Sequence, residues 1–146
     1  MKKIFAVVLA VLVLAGCTAN SGATSNSNII DIEEQIFVAR TNQILGNPEQ
    51  YFGRTIRFEG MVMNTSWEDE PFHFVFRNTV GCCGPDGFIG FDVALNDIEP
   101  FPDDTWVEVT GVFEEFDIFE GRAQIPIISA ISVVEMPERG LEFVED

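Results

Sequence analysis

The 146-residue chain carries 24 acidic residues against eight basic ones, a formal charge of −16. A surface this anionic repels phosphate backbones and anionic headgroups, which disfavours nucleic acid as a partner and a basic patch as a membrane contact. With 47% hydrophobic residues, 14 of the residues being Phe, there is material for one real core and too little chain for two.

The chain opens on Met1-Lys2-Lys3, followed by an apolar run from Ile4 to Gly16 that closes on Leu14-Ala15-Gly16-Cys17. A charged start, a short apolar stretch and a small-residue cleavage point describe a secretory signal. The run falls short of the ~18–20 residues that span a bilayer. Leu-Ala-Gly-Cys resembles the bacterial lipobox, which implies cleavage before Cys17 and acylation, of the palmitate type, of that cysteine. The predicted setting is extracytoplasmic, on a lipid tether to the bacterial membrane. Since one acyl chain binds only weakly, a second chain or an integral partner is expected to complete the attachment. Cleavage removes Lys2 and Lys3, leaving six basic residues against 24 acidic ones and a formal charge of −18. The predicted division is a signal peptide over 1–16, a lipid-anchored flexible linker over 17–30, a β-barrel domain over 31–140 and an acidic tail over 141–146. The small, polar stretch Thr18 to Asn28 has no apolar periodicity with which to order itself.

A helix is predicted from Asp31 to Leu45. Asp31 serves as cap with Glu34 three residues on, Ile32, Ile36, Phe37 and Ile44 form one stripe, and Gly46 and Pro48 end it. The period then changes to two. Strands are predicted over Thr55 to Met63, over Phe72 to Arg77, over Phe88 to Leu95, over Trp106 to Phe116, and over Ile125 to Met136 with Pro126 near an edge or closure point. Turn residues separate them: Glu68 to Pro71, Gly84 to Gly87, Pro100 to Asp104, and Glu120-Gly121. Gly60 and Gly111 inside strand patterns point to a sharply bent sheet. The predicted fold is mainly β, a small five-stranded OB-like barrel preceded by one helix, with a two-sheet sandwich as the alternative.

The segment Arg77 to Asp86 gathers two thiols, a carboxylate and a cation within ten residues. With Cys17 acylated, only Cys82 and Cys83 remain, and no disulfide scaffold can be built from an adjacent pair. Three readings follow. In the first, Arg77, Cys82, Cys83 and Asp86 form a binding or structural turn. In the second, Cys82, Cys83 and Asp86 hold zinc or copper, with His73, on the same strand face as Arg77, as a fourth donor. Adjacent cysteines chelate less well than a Cys-x-x-Cys pair, because their side chains leave an extended backbone in opposite directions. In the third, Arg77 lowers a thiol pKa and the pair cycles through a strained vicinal disulfide. The acidic stretch Glu114 to Asp117 with Glu120 has no fixed calcium loop and reads as a solvated face. Trp106 reads as core or interface, and Trp67 as a possible groove wall. No phosphate loop or hydrolase motif is present, and no enzymatic activity is predicted.

Asn47-Pro48 through Tyr51 and Gly53, the strand Thr55 to Gly60, Arg77 with Cys82-Cys83-x-x-Asp86, Trp106-Val-x-Val-x-Gly111, and Pro126-x-Ile128 with Pro137 together resemble the soluble C-terminal domain of the YcgQ-like permease-partner proteins. The resemblance spans roughly residues 45 to 138. It departs at the N-terminus, where the relatives carry a transmembrane part, and after Asp86, where Gly87-Phe88 stands in place of a nearby proline. It implies an accessory module working beside an integral-membrane permease-like subunit. The predicted function is therefore a lipid-anchored extracytoplasmic binding module. Metal binding or delivery is the first alternative, and thiol redox chemistry the second.

Overall fold

The computed structural model describes residues 29–67, 70–81, 84–118, 121 and 123–145. The elements run β1 (Ile29–Asp31), α1 (Phe37–Gly46), β2 (Thr55–Trp67), β3 (Glu70–Gly81), β4 (Gly84–Ala94), β5 (Trp106–Ile118), β6 (Ala123–Glu135) and β7 (Phe143–Val144), with single 3-10 turns at Glu34–Ile36 and Pro48–Gln50. The sheet order is β1-β2-β5-β6-β4-β3-β7, and a further β2–β3 pairing closes the five long strands into a barrel. The OB-like barrel is thus the architecture, and the sandwich is not.

Closure brings strands together at the glycines that marked them. β4 meets β6 in parallel over only two residue pairs, Val93↔Ile128 and Ala94↔Ser129. β5 and β6 slip register between Thr110 and Gly111. A Cβ at Gly111 would lie 2.5 Å from both Ile128 Cγ2 and the Ser129 carbonyl oxygen, so only glycine lets the two strands pass that closely. Ile56, Phe58, Val62, Val107, Val109 and Phe113 face inward and are buried, as the period-two pattern requires. Phe58, Phe91 and Phe113 form an edge-to-face aromatic file through the core, with centroids 5.1 and 6.1 Å apart.

The helix departs from its predicted span. Ile29–Asp31 pairs in parallel with Thr55 to Arg57, so Asp31 lies in β1 and salt-bridges Arg57 instead of capping a helix. α1 starts at Phe37 and buries Phe37, Val38, Thr41 and Ile44, whereas Ile36 is exposed. Sheet pairing by Ile29 and Ile30 outcompeted the local capping signal. The chain end departs as well. Residues 141–146, predicted as a tail, contain β7, which pairs in parallel with Asn78 and Thr79 and buries Val144 among the core side chains.

Candidate functional site

β3 and β4 form one long hairpin whose register runs from His73↔Val93 to Gly81↔Gly84. Gly84 to Gly87, predicted as a turn, belongs to the strand. A slip between Thr79 and Val80 lets Pro85 sit opposite Val80 without a ladder donor. The tip therefore falls between Gly81 and Gly84. Cys82 and Cys83 lie outside the described residues, as does Cys17. For Asp86 only the strand position of its backbone is described.

Arg77 stands at the root of this tip, with its side chain turned into the domain and 2% exposed. Its Nε donates to the Glu59 carbonyl at 2.9 Å, and its Nη1 donates to the Leu141 carbonyl at 3.1 Å and to Glu34 Oε2 at 3.2 Å. The guanidinium lies over the rings of Phe37 and Trp106 at 4.8 and 4.9 Å. Burial pulls its pKa below the ordinary guanidinium value, and the hydrogen bond and charge of Glu34 oppose that pull. Glu34 Oε2 also accepts from the Leu141 N–H, and the Trp106 indole donates to Glu59 Oε2. The cation expected to act on the thiols is thus partnered by Glu34 inside the fold. There it joins the first turn after β1, the arm of the hairpin and the chain end.

His73 shares the inward face of β3 with Val75 and Arg77, and all three are buried. Its Nδ1 meets Asn64 Oδ1 at 2.7 Å. The Asn64 amide nitrogen donates to Asp103 Oδ1 and to the Phe101 carbonyl, which orients the Asn64 oxygen toward the ring and makes His73 Nδ1 the donor. Burial lowers the His73 pKa. Eight residues of unbroken strand separate His73 from Gly81, about 26 Å at 3.3 Å per residue. Along the described strands the hairpin does not fold back, and His73 stands far from Gly81. Among the described residues, no three His, Cys, Asp or Glu side chains cluster as a metal site would require.

The outer surface of the hairpin holds residues that motif reading missed. Phe74 and Phe76 stack at 5.7 Å, and Phe88 sits edge-on to both at 5.6 Å. Val80 and Phe88 are exposed beside the tip, and so are Leu141 and Phe143 from the chain end. Alternation had marked Phe74 and Phe76 as one face of a strand. Nothing local said that this face would be the outer one.

The family described as the DUF1980 C-terminal domain matches residues 15–144. The chain belongs to that family. A prokaryotic membrane lipoprotein lipid attachment site matches residues 1–18, which include Cys17, and the chain is a membrane-anchored lipoprotein carrying a DUF1980-type accessory domain. Among the described residues no helix is long and apolar enough to cross a membrane. No curated protein matches the chain. A solved structure described as the dimeric N-terminal domain of PriB protein from Thermoanaerobacter tencongensis is similar over 57% of this chain and 97% of that one, at 14% identity and a TM-score of 0.35.

Proposed function

We propose that the protein is a non-enzymatic extracytoplasmic binding module, held to its membrane through Cys17, whose working part is the Cys82-Cys83-x-x-Asp86 end of the β3–β4 hairpin. The observation that carries this reading is the build of the hairpin. Its root is held rigidly by Arg77, while the described residues on either side of the tip, Val80 and Phe88, are 48% and 60% exposed. Apolar side chains of that size left in water beside a motif of soft donors are what a partner-docking end presents. Arg77 in this reading positions the arm and does not touch the ligand.

The family resemblance makes a permease-like membrane protein the first partner to try. The tagged lipoprotein, extracted in mild detergent, is expected to co-purify with a permease-like protein of the same membrane. The double variant Cys82→Ser/Cys83→Ser is expected to keep its unfolding temperature and lose the association. Retained association rejects the reading. A native mass spectrum of the reduced mature chain with zinc alone decides the metal alternative. A stoichiometric adduct that disappears in the double serine variant would replace partner binding by metal handling. A vicinal disulfide with an oxidising potential, measured on the same protein, would point to redox chemistry instead.

A further inference from the structure

Beside the hairpin tip, two shallow depressions of about 370 and 310 Å³ flank the end of β7 and share Val80, Val144 and Glu145 as lining. One is walled by Phe88 and by Val38 and Asn42 of α1. The other is walled by Leu141 and Phe143 and reaches Glu34 and Gln35, just after β1. Together they form a two-lobed groove of mixed lining, in which exposed apolar side chains alternate with Asn42, Glu34 and Glu145. Phe88, Leu141, Val80 and Phe143 stand 60%, 56%, 48% and 45% exposed along it. Phe88 also packs edge-on against Phe74 and Phe76.

Two features select the occupant. The first is charge. A second copy brings another −18 to the groove, and an anionic bilayer surface brings like charge too, so both are opposed by long-range repulsion. A cationic polypeptide is attracted, and Glu145 sits between the lobes to meet it. The second is reach. The groove touches Glu34 and Gln35, and only twelve residue steps separate acylated Cys17 from Ile29. At 3.3–3.6 Å per residue those steps span at most about 40 Å, so the groove works close to the bilayer.

We infer that this groove docks a basic segment with large apolar side chains, belonging to an integral membrane protein of the same membrane. The inference rests on the binding-module reading and adds to it the surface and the chemistry of the partner. Large apolar side chains fill the two lobes, and Lys or Arg beside them faces the acidic domain.

The test uses the full-length lipoprotein in its own membrane, with a photoreactive p-benzoylphenylalanine in place of Phe88 or Phe143. The control carries the same residue in place of Ile131 on β6, which is 64% exposed and lines neither depression. Irradiation is expected to join positions 88 and 143, and not 131, to an integral membrane protein at a peptide containing Lys or Arg. The yield should fall at least several-fold as added salt shortens the Debye length from about 10 to 3 Å. A dimer of the lipoprotein, a lipid adduct, equal labelling from position 131, or no adduct overturns the groove assignment. Repeating the experiment with Cys82→Ser/Cys83→Ser separates the two claims. An undiminished adduct keeps the groove and rejects the thiol end as the docking element. Association that persists in detergent without any adduct from 88 or 143 keeps the module and rejects the groove.

Discussion

Replacing Glu34 by Ala removes the only carboxylate that hydrogen-bonds the buried Arg77 guanidinium among the described residues, and also the acceptor of the Leu141 N–H. Breaking a buried ion pair by deleting one partner costs about 3–5 kcal/mol. Here the Glu34 side chain keeps 31% exposure, and Arg77 retains two carbonyl acceptors and two aromatic faces, which reduces the expected cost. About 2–3 kcal/mol is the resulting figure, between that of an intact charged hydrogen bond and that of a broken buried pair. At roughly 3–6 °C per kcal/mol for a domain between the small and the mid-sized class, the unfolding temperature should drop by about 6–18 °C. Urea unfolding followed by tryptophan fluorescence gives the free energy, and hydrogen exchange gives the local effect, with the Leu141 amide losing protection first. Arg77→Met, which strands the Glu59 and Leu141 carbonyls, should cost at least as much. The double variant should cost clearly less than the two singles added together. A Glu34→Ala change worth under about 0.5 kcal/mol, with the Leu141 amide still protected, would refute the buried-pair argument.

Stability should respond to pH in opposite senses at two residues. Burial depresses the His73 pKa, so the unfolded chain takes up a proton that the folded ring resists. His73 should therefore destabilise the fold progressively as pH falls below the ordinary 6.5 toward the lower folded value, and His73→Gln should flatten the unfolding temperature in that window. Burial raises the Asp92 pKa, so its charged form weakens the fold at neutral pH, and the loss is recovered as pH falls through the raised folded value toward 3.8. Asp92→Asn should stabilise at pH 7 and lose that advantage near pH 3.8; no gain at pH 7 would contradict the assignment. Gly111→Ala, which places a methyl 2.5 Å from the Ser129 oxygen, should cost about 1–3 kcal/mol or more in urea unfolding. Deleting residues 141–146 removes buried Val144 and an Arg77 acceptor, and should cost at least about 2–3 kcal/mol. An unchanged midpoint would return that segment to the status of a tail.

The strands were readable because alternation is a local property. Ile56-x-Phe58 and Val107-x-Val109 each mark a buried face within a few residues, and Gly60 and Gly111 mark places where strands crowd. The start of the helix was misread because Asp31 with Glu34 makes a sound local cap, while the pairing of Ile29 and Ile30 with Thr55 and Ile56 spans some 26 residues and has no local signature. The candidate site divides in the same way. The Cys82-Cys83-x-x-Asp86 motif and its strand-to-strand setting are visible in sequence. The inward turn of Arg77 and the distance of His73 from the tip are not.

Sequence by itself determined the lipid attachment, the acidity and the mainly β class, since each depends on residue type and short spacing. Tertiary structure alone decided that Glu34 neutralises Arg77 across 43 positions, that Leu141 N–H and Glu34 meet across 107, and that Val144 closes the core. Contacts of that range are selected by barrel closure, which trades chain entropy for burial over the whole domain, and no window of the chain encodes that balance.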